Sequence, residues 1–363
     1  MITAVPVDFP DSALAAEVID DLIRVEESLT VTAHPDDELL TEASRHLIAA
    51  GGKRFRAMLV LLAAQFGDPK DPRVIQAAVA IELTHLATLF HDDVMDEALV
   101  RRGHPSVNSR WNNSVAILTG DFLFAQASAI LADLGPEAVR IQAETFTRLV
   151  TGQMAETIGP RPGQDPLDFY MHVITEKTGS LIATSGRFGA LFSGAPVAVA
   201  DRIAAACEQI GVAWQLSDDV IDIASEESQS GKTPGTDLRQ GVRTLPVLYA
   251  LRSVDKSGPA QSPADTRLRW LLGEADLTDE ALLREALTLL RGHHAMKESR
   301  ADVLNWVHEA RASISALPDG PARAAFLALC DFVEKRTGLE PVRKLARVRL
   351  IESTFDGGER EGW

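Results

Sequence analysis

The sequence predicts an all-α protein, a single domain built as a helical bundle. Ala and Leu abound, and alternating β-branched runs are missing. Apolar residues recur at helical spacing in "RFRAMLVLLAAQFG", "VIQAAVAIELTHLATLFHDDVMD", "SVAILTGDFLFAQASAILADLG" and "EAVRIQAETFTRLVTGQMAETIG". The spacing continues in "KTGSLIATSGRFGALFSG" and "VADRIAAACEQIGVAWQLSDDVIDIA". Several of these segments are apolar on most faces, which marks helices buried inside a large bundle.

Breakers separate them. "FGDPKDP" (66–72), "RGHPSVN" (102–108), "LGPE" (134–137), "GPRPGQDP" (159–166) and "SGAP" (193–196) are turn signals. The polar stretch 225–241, "SEESQSGKTPGTDLRQG", is too long for an ordinary connection and reads as functional. Residues 253–265 read as a surface linker, and the tail "FDGGEREGW" as frayed. The organisation is an N-terminal helical segment over 1–34, a main domain over 35–337 and a C-terminal extension over 338–363.

With 363 residues, 45% of them hydrophobic, the chain can bury a large core. Its net charge of −16 argues against a nucleic-acid partner. Any anionic ligand must be held by local cations or by metal ions. Cys207 and Cys330 are too few for a disulfide framework and read as thiols in a reducing cytosol. The acidic N-terminus does not read as a signal peptide. No run of about 18 uncharged apolar residues appears, so no spanning helix is expected and the cytoplasm is the expected location.

"HLATLFHDDVMDEALVRRG" (85–103) crowds Asp92, Asp93 and Asp96 into five residues, with Arg101 and Arg102 just beyond. A helix turns about 100° per residue, so Asp92 and Asp96 share a face and Asp93 projects to the side. Like charges at this spacing repel unless something neutralises them. Mg²⁺ would, because it prefers oxygen ligands and is commonly held by one or two carboxylates plus substrate phosphates. A solvated acidic face would explain one such cluster. But "WQLSDDVIDIA" repeats the pattern at Asp218, Asp219 and Asp222, again at the end of an apolar helix. If the two helices pack side by side, the clusters can clamp a diphosphate through bridging Mg²⁺.

The cations fit that picture. "GGKRFRA" offers Lys53, Arg54 and Arg56, "EKTGS" offers Lys177, and "SGKTPGTD" offers Lys232. Arginine forks suit phosphate oxygens, and lysine acts as a point charge. Taken singly, each reads equally as a solvated surface residue.

Together these pieces resemble the trans-isoprenyl diphosphate synthases, the polyprenyl synthetase family. "DDVMD" (92–96) with "RRG" (101–103), and "DDVID" (218–222) preceded by Gln215, look like its two aspartate-rich motifs. "GGKRFR", "EKTG" and "GKTPGTDL" match in the same order. The resemblance implies an isoprenoid synthase bundle around a deep central cavity, acting as a homodimer. It implies Mg²⁺ as cofactor, about three ions per site. The implied reaction is head-to-tail condensation of isopentenyl diphosphate with an allylic diphosphate. By resemblance, Asp92, Asp96 and Asp218 ligate the metal, with Asp93 and Asp222 supporting. Arg101, Lys177, Thr178, Gln215 and Lys232 contact the allylic substrate, while Lys53, Arg56, His85 and Arg102 bind isopentenyl diphosphate. One departure stands in "GVRTLP" (241–246), where Val242 replaces the family's lysine and Arg243 follows it.

The growing tail would run beneath the first cluster. Thr88 lies one turn below Asp92, Ile81 about three turns below, and Ala87 close by. In the family a bulky aromatic just before the first motif stops growth early. Ala87 and Thr88 are small, which implies a long product, about C30–C50, if they line the path. They read equally as packing residues, with Phe122 and Phe124 as candidates for the floor. His91 reads as a rim residue as readily as a functional one. A greasy product implies transient membrane contact for release, although no basic amphipathic anchor is visible.

Three rivals remain. A shorter-chain synthase would keep every motif. A class I terpene cyclase would carry a different second metal motif and lack "GGKRFR". A non-catalytic partner subunit would not be expected to keep intact acidic and basic motifs.

Overall fold

Helix starts in this chain are marked by Asp, Asn or Ser, often with Pro just behind. Asp71 caps the helix that begins at Pro72, Asp165 the one at Pro166 and Ser262 the one at Pro263. A computed structural model describes residues 7–225, 234–257 and 262–337, with 254–257 as backbone alone. Its helices are α1 (Ser12–Thr32), α2 (Glu38–Ala49), α3 (Phe55–Ala64), α4 (Pro72–Met95), α5 (Val107–Arg110), α6 (Asn113–Leu134), α7 (Pro136–Ile158) and α8 (Pro166–Ile174). They continue as α9 (Ser180–Phe192), α10 (Val197–Ala224), α11 (Thr236–Arg239), α12 (Leu245–Ser257), α13 (Pro263–Gly273), α14 (Glu280–Gly292), α15 (Ala295–Ser315) and α16 (Pro321–Arg336).

The all-α expectation holds. The centre is made by α3, α4, α9 and α10: α4 packs on α3, α6 and α9, and α10 packs on α9 and α15. On α4, Ala77, Ala78, Ile81, Leu83, Leu86, Ala87 and Phe90 are all buried, so the helix is apolar on most faces, as its sequence implies. Length and composition alone would let α4 and α6 cross a membrane, where the sequence reading expected no such helix. Burial accounts for α4, whose most apolar window is 67% buried; that of α6 is 33% buried. Helix α1 packs on α3 and α4 and is joined to the bundle.

Two expectations need correction. The linker expected from 253 begins later, since α12 runs to Ser257. The turn expected at 102–108 includes strand pairing: β1 (Val100–Arg101) and β2 (His104–Pro105) form a hairpin. Its two central residues, Arg102 and Gly103, have φ of 54° and 79°. Positive φ at both positions is what a right-twisted two-residue hairpin requires. His46 Nε2 lies 2.7 Å from the Pro105 carbonyl and ties the hairpin to α2. The C-terminal extension and the tail beyond 337 lie outside the described residues.

Close approach of α3 and α9 depends on Gly189. A Cβ there would sit 2.0 Å from the Val60 carbonyl oxygen. Backbone cannot move aside as a side chain can, so Gly189→Ala should destabilise the fold by about 1–3 kcal/mol. Urea unfolding of the two proteins measures it, and equal midpoints would contradict this packing.

Candidate active site

The first acidic cluster closes α4. Asp92 is half-buried at its last turn, and Asp96 is exposed at the C-cap. Burial raises the Asp92 pKa; Lys177 opposes the rise and Asp96 adds to it. Asp93 turns inward, 1% exposed, and accepts from Arg101 Nε at 2.6 Å. It therefore anchors Arg101 in this structure rather than presenting a free metal ligand. Glu97 ends the helix in the left-handed region, at φ 49°.

The hairpin then sends the paired arginines apart. Arg101 reaches Asp93, while Arg102 Nη1 donates to the carbonyls of Leu47, at 3.3 Å, and Gly51. Gly52 leaves room for this, because a Cβ there would be 3.1 Å from the Arg102 guanidinium. The answer to the crowding of charge in 85–103 is thus a sorting device. One arginine stays with the aspartates, and the other crosses to a basic pocket.

That pocket has a volume of about 490 Å³, and its lining includes Lys53, Arg56, His85, Arg102, Gln215 and Asp218. Lys53 Nζ lies 5.3 Å from the Trp214 ring centre. Arg56 Nε is buried with no hydrogen-bond partner. Arg54, read from the sequence as one more phosphate cation, is committed elsewhere. It is 3% exposed, forks onto Glu26 at 2.6 and 2.8 Å, and sits 3.5 Å from Glu82. Burial holds the His85 imidazole well below its ordinary 6.5, reinforced by Arg56, Arg102, Arg54 and Arg101. Burial likewise pushes Arg102 down to about 10, with Arg54 adding to the fall.

The second cluster closes α10. Asp218 pairs with Arg336, whose guanidinium lies 4.2 Å from the Trp214 ring centre. Asp219 is buried; it accepts from Tyr170 Oη and from Gln215 Nε2 at 3.2 Å. Burial pushes its pKa up to about 7, against these hydrogen bonds. Asp222 accepts from the backbone N–H groups of Thr236 and Asp237, each at 3.2 Å, at the start of α11. Lys177 and Thr178 lie in a π-helical turn, Thr175–Gly179. Such insertions re-aim side chains and gather at functional sites. Lys177 Nζ meets Glu156 at 2.5 Å, and Thr178 Oγ1 donates to Gln215 Oε1 at 3.5 Å.

Three candidates fall outside the two clusters. Ala87 is fully buried, and its carbonyl faces Gly120 of α6; Thr88 is half-buried and donates to the His85 carbonyl at 2.8 Å. His91 has a packing role against α6, 3.1 Å from the Ile117 carbonyl and beside Phe124. Lys232 lies outside the described residues, and Arg243 is exposed. Sequence reasoning missed Glu26, Glu82, Tyr170 and Arg336. Only Glu82 left a signal, as a lone carboxylate within the apolar run "VAIELTHLATLF".

The polyprenyl synthetase family model matches residues 37–290. The chain belongs to the polyprenyl synthetase family. It is 48% identical over 333 residues to the nonaprenyl diphosphate synthase of Mycobacterium tuberculosis, covering 92% of this chain and 97% of that one. It is 36% identical to heptaprenyl diphosphate synthase component 2 of Geobacillus stearothermophilus, over 89% of this chain and 98% of that one. A crystal structure of geranylgeranyl pyrophosphate synthase from Corynebacterium glutamicum, complexed with calcium and isoprenyl diphosphate, superposes with a TM-score of 0.81. The two are 44% identical, over 92% of this chain and all of the other.

Among the described residues no three acidic or histidine side chains converge as a ready metal site. The donor chemistry still fits a polyprenyl synthetase's hard cation. Asp92 and Asp96 are carboxylates at the mouth of an apolar helix, and burial plus mutual repulsion disfavours the charge on Asp92. An ion bringing substrate oxygens would complete its shell there.

His85 gives a pH prediction. The unfolded imidazole takes a proton near its ordinary 6.5, and the folded one resists. Stability should therefore fall as pH drops below about 6.5. Melting curves from pH 7.5 to 5.5 should fall less steeply for His85→Gln than for wild type. Parallel curves would contradict a neutral His85.

Proposed function

We propose that the chain is a trans-polyprenyl diphosphate synthase. It is a Mg²⁺-dependent prenyltransferase that joins isopentenyl diphosphate head-to-tail to an allylic diphosphate and makes a long chain, about C30–C50. The observation that carries this reading is the single pocket in which Lys53, Arg56, His85 and Arg102 adjoin Gln215 and Asp218. A basic recess for one diphosphate beside an acidic, metal-binding mouth for another suits a condensation of two diphosphates.

Asp92, Asp96 and Asp218 would hold the metal, and Asp222 would support them by holding the start of α11. Bound Mg²⁺ would neutralise charge developing on the departing diphosphate. Lys177, from the π turn, and Arg101, anchored by Asp93, add positive charge at the same place. Arg56 and Arg102, with Lys53 and neutral His85 lining the same pocket, would grip the diphosphate of isopentenyl diphosphate. Thr178 and Gln215 orient the allylic chain at the junction. The apolar walls of α3, α4 and α9 exclude water, which would otherwise quench the allylic cation. The allylic C–O bond breaks with its electron pair leaving on diphosphate, the isopentenyl double bond forms the new C–C bond, and the departed diphosphate takes up the proton that is lost.

Ile117 and Leu118 on α6, with Val150, Met154 and Ile158 on α7, are exposed apolar side chains that support a homodimer. Cys207 and Cys330 are buried and unpaired, which fits a cytoplasmic enzyme. Release of a long product would bring transient contact with a membrane. The Geobacillus relative is named as a component, which keeps a partner subunit as the second reading.

Product analysis decides. Purified chain, farnesyl diphosphate, labelled isopentenyl diphosphate and Mg²⁺ should yield a ladder ending at one long polyprenol. No extension from any allylic primer would reject catalysis by the chain alone. Ala87→Phe and Thr88→Phe should each shorten the ladder by at least one isoprene unit. Unchanged length in both would move the floor of the tail channel elsewhere.

A further inference from the structure

Arg54 sits in the middle of "GGKRFR" yet points away from the role its neighbours take. Its backbone is left-handed, with φ 44° at the N-cap of α3. Among the described residues only Glu97 and Arg102 share a positive φ without being glycine. Strain of this kind persists where surrounding contacts over-determine the conformation. The contacts are clear. Arg54 Nε and Nη2 donate to the two carboxylate oxygens of Glu26, a paired fork. Its Nη1 lies 3.5 Å from Glu82 Oε2, and Glu82 Oε1 accepts the backbone N–H of Ala57 at 3.1 Å.

We propose that Glu26 and Arg54 are a positioning pair that sets the reach of Lys53 and Arg56 into the basic pocket. Lys53 and Arg56 stand immediately before and two residues after Arg54 on the same short stretch. One side of that stretch is held by α1 through Glu26, and the other by α4 through Glu82. Glu26 precedes residues 37–290, the part matched by the family model. It shares no motif with the pocket and acts only through Arg54. The Glu26 side chain is 19% exposed, against 2% for Arg54 and for Glu82, so Glu26 can be changed with less damage to the core. The pair belongs to the isopentenyl half of the site, so this inference rests on the proposed condensation.

Calorimetry separates the possibilities. Isopentenyl diphosphate is titrated without metal, and an allylic diphosphate with Mg²⁺, into wild type, Glu26→Gln, Glu26→Asp and Asp21→Asn. Asp21 pairs with Arg24 on the same helix and controls for a loosened α1. Glu26→Gln should weaken isopentenyl diphosphate about tenfold and leave the allylic affinity within twofold. Glu26→Asp should recover most of the loss, and Asp21→Asn should lower only the melting temperature. Unchanged affinities in Glu26→Gln, or parallel losses for both ligands, overturn the proposal. A wild type that binds isopentenyl diphosphate but condenses nothing would reject the condensation and leave the pair standing. A wild type that binds none would reject both.

Discussion

The carboxylate of Glu82, 2% exposed on α4, is what allows a cluster of arginines to share one end of the bundle. It lies 3.5 Å from Arg54 and attracts Arg56 and Arg102. Glu26 takes up the charge of Arg54, which leaves Glu82 shared among Arg54, Arg56 and Arg102. Arg102 and His85 both lose affinity for protons, chiefly through burial and further through the neighbouring arginines. A pocket left short of negative charge is one that favours an anion, and a diphosphate supplies it in a shape that guanidinium forks match. Much of the local architecture follows. Gly51 and Gly52 let Arg102 in, Arg54 adopts a strained backbone to meet Glu26, and α1 is drawn against the site.

The opposite imbalance stands at the acidic end. Asp92 and Asp96 lie one helical turn apart; Asp96 repels the charge on Asp92, while Lys177 and Arg101 attract it. Asp93 and Asp219 are withdrawn into the protein, one to Arg101 and one to Tyr170. The second aspartate of each DDxxD is thus turned inward; Asp92 and Asp96 stay at the mouth, while Asp218 meets Arg336 and Asp222 holds the start of α11. The hairpin between Arg101 and Arg102 keeps the two imbalances apart.

What could be read from the sequence was whatever a helix repeats at fixed spacing. Asp92 with Asp96, and Asp218 with Asp222, declared themselves by pitch, and the caps at Asp71 and Asp165 by residue type. The tie between Glu26 and Arg54 joins residues 28 positions apart, and that between Asp218 and Arg336 spans 118. No local pattern encodes such partners. The π turn at Thr175–Gly179 inserts itself into a pattern that reads as ordinary helix. It is tolerated because Gly152 lets α7 come close, where a Cβ would lie 2.8 Å from the Lys177 nitrogen. Left-handed Arg102 was equally hidden, since arginine rarely adopts that conformation. His91, which reads equally as a rim residue and a functional one, lies against Ile117, Asp121 and Phe124 of α6, contacts that no local pattern announces.

Charge is segregated in this site: a basic half at Lys53, Arg56 and Arg102 adjoins an acidic half at Asp92, Asp96 and Asp218, the half proposed to bind metal. Binding of the two substrates measured with Mg²⁺ and with a chelator tests it directly. Chelation should leave isopentenyl diphosphate affinity within a few-fold and abolish that of the allylic diphosphate. Equal dependence on Mg²⁺ for both ligands, or for neither, would contradict it.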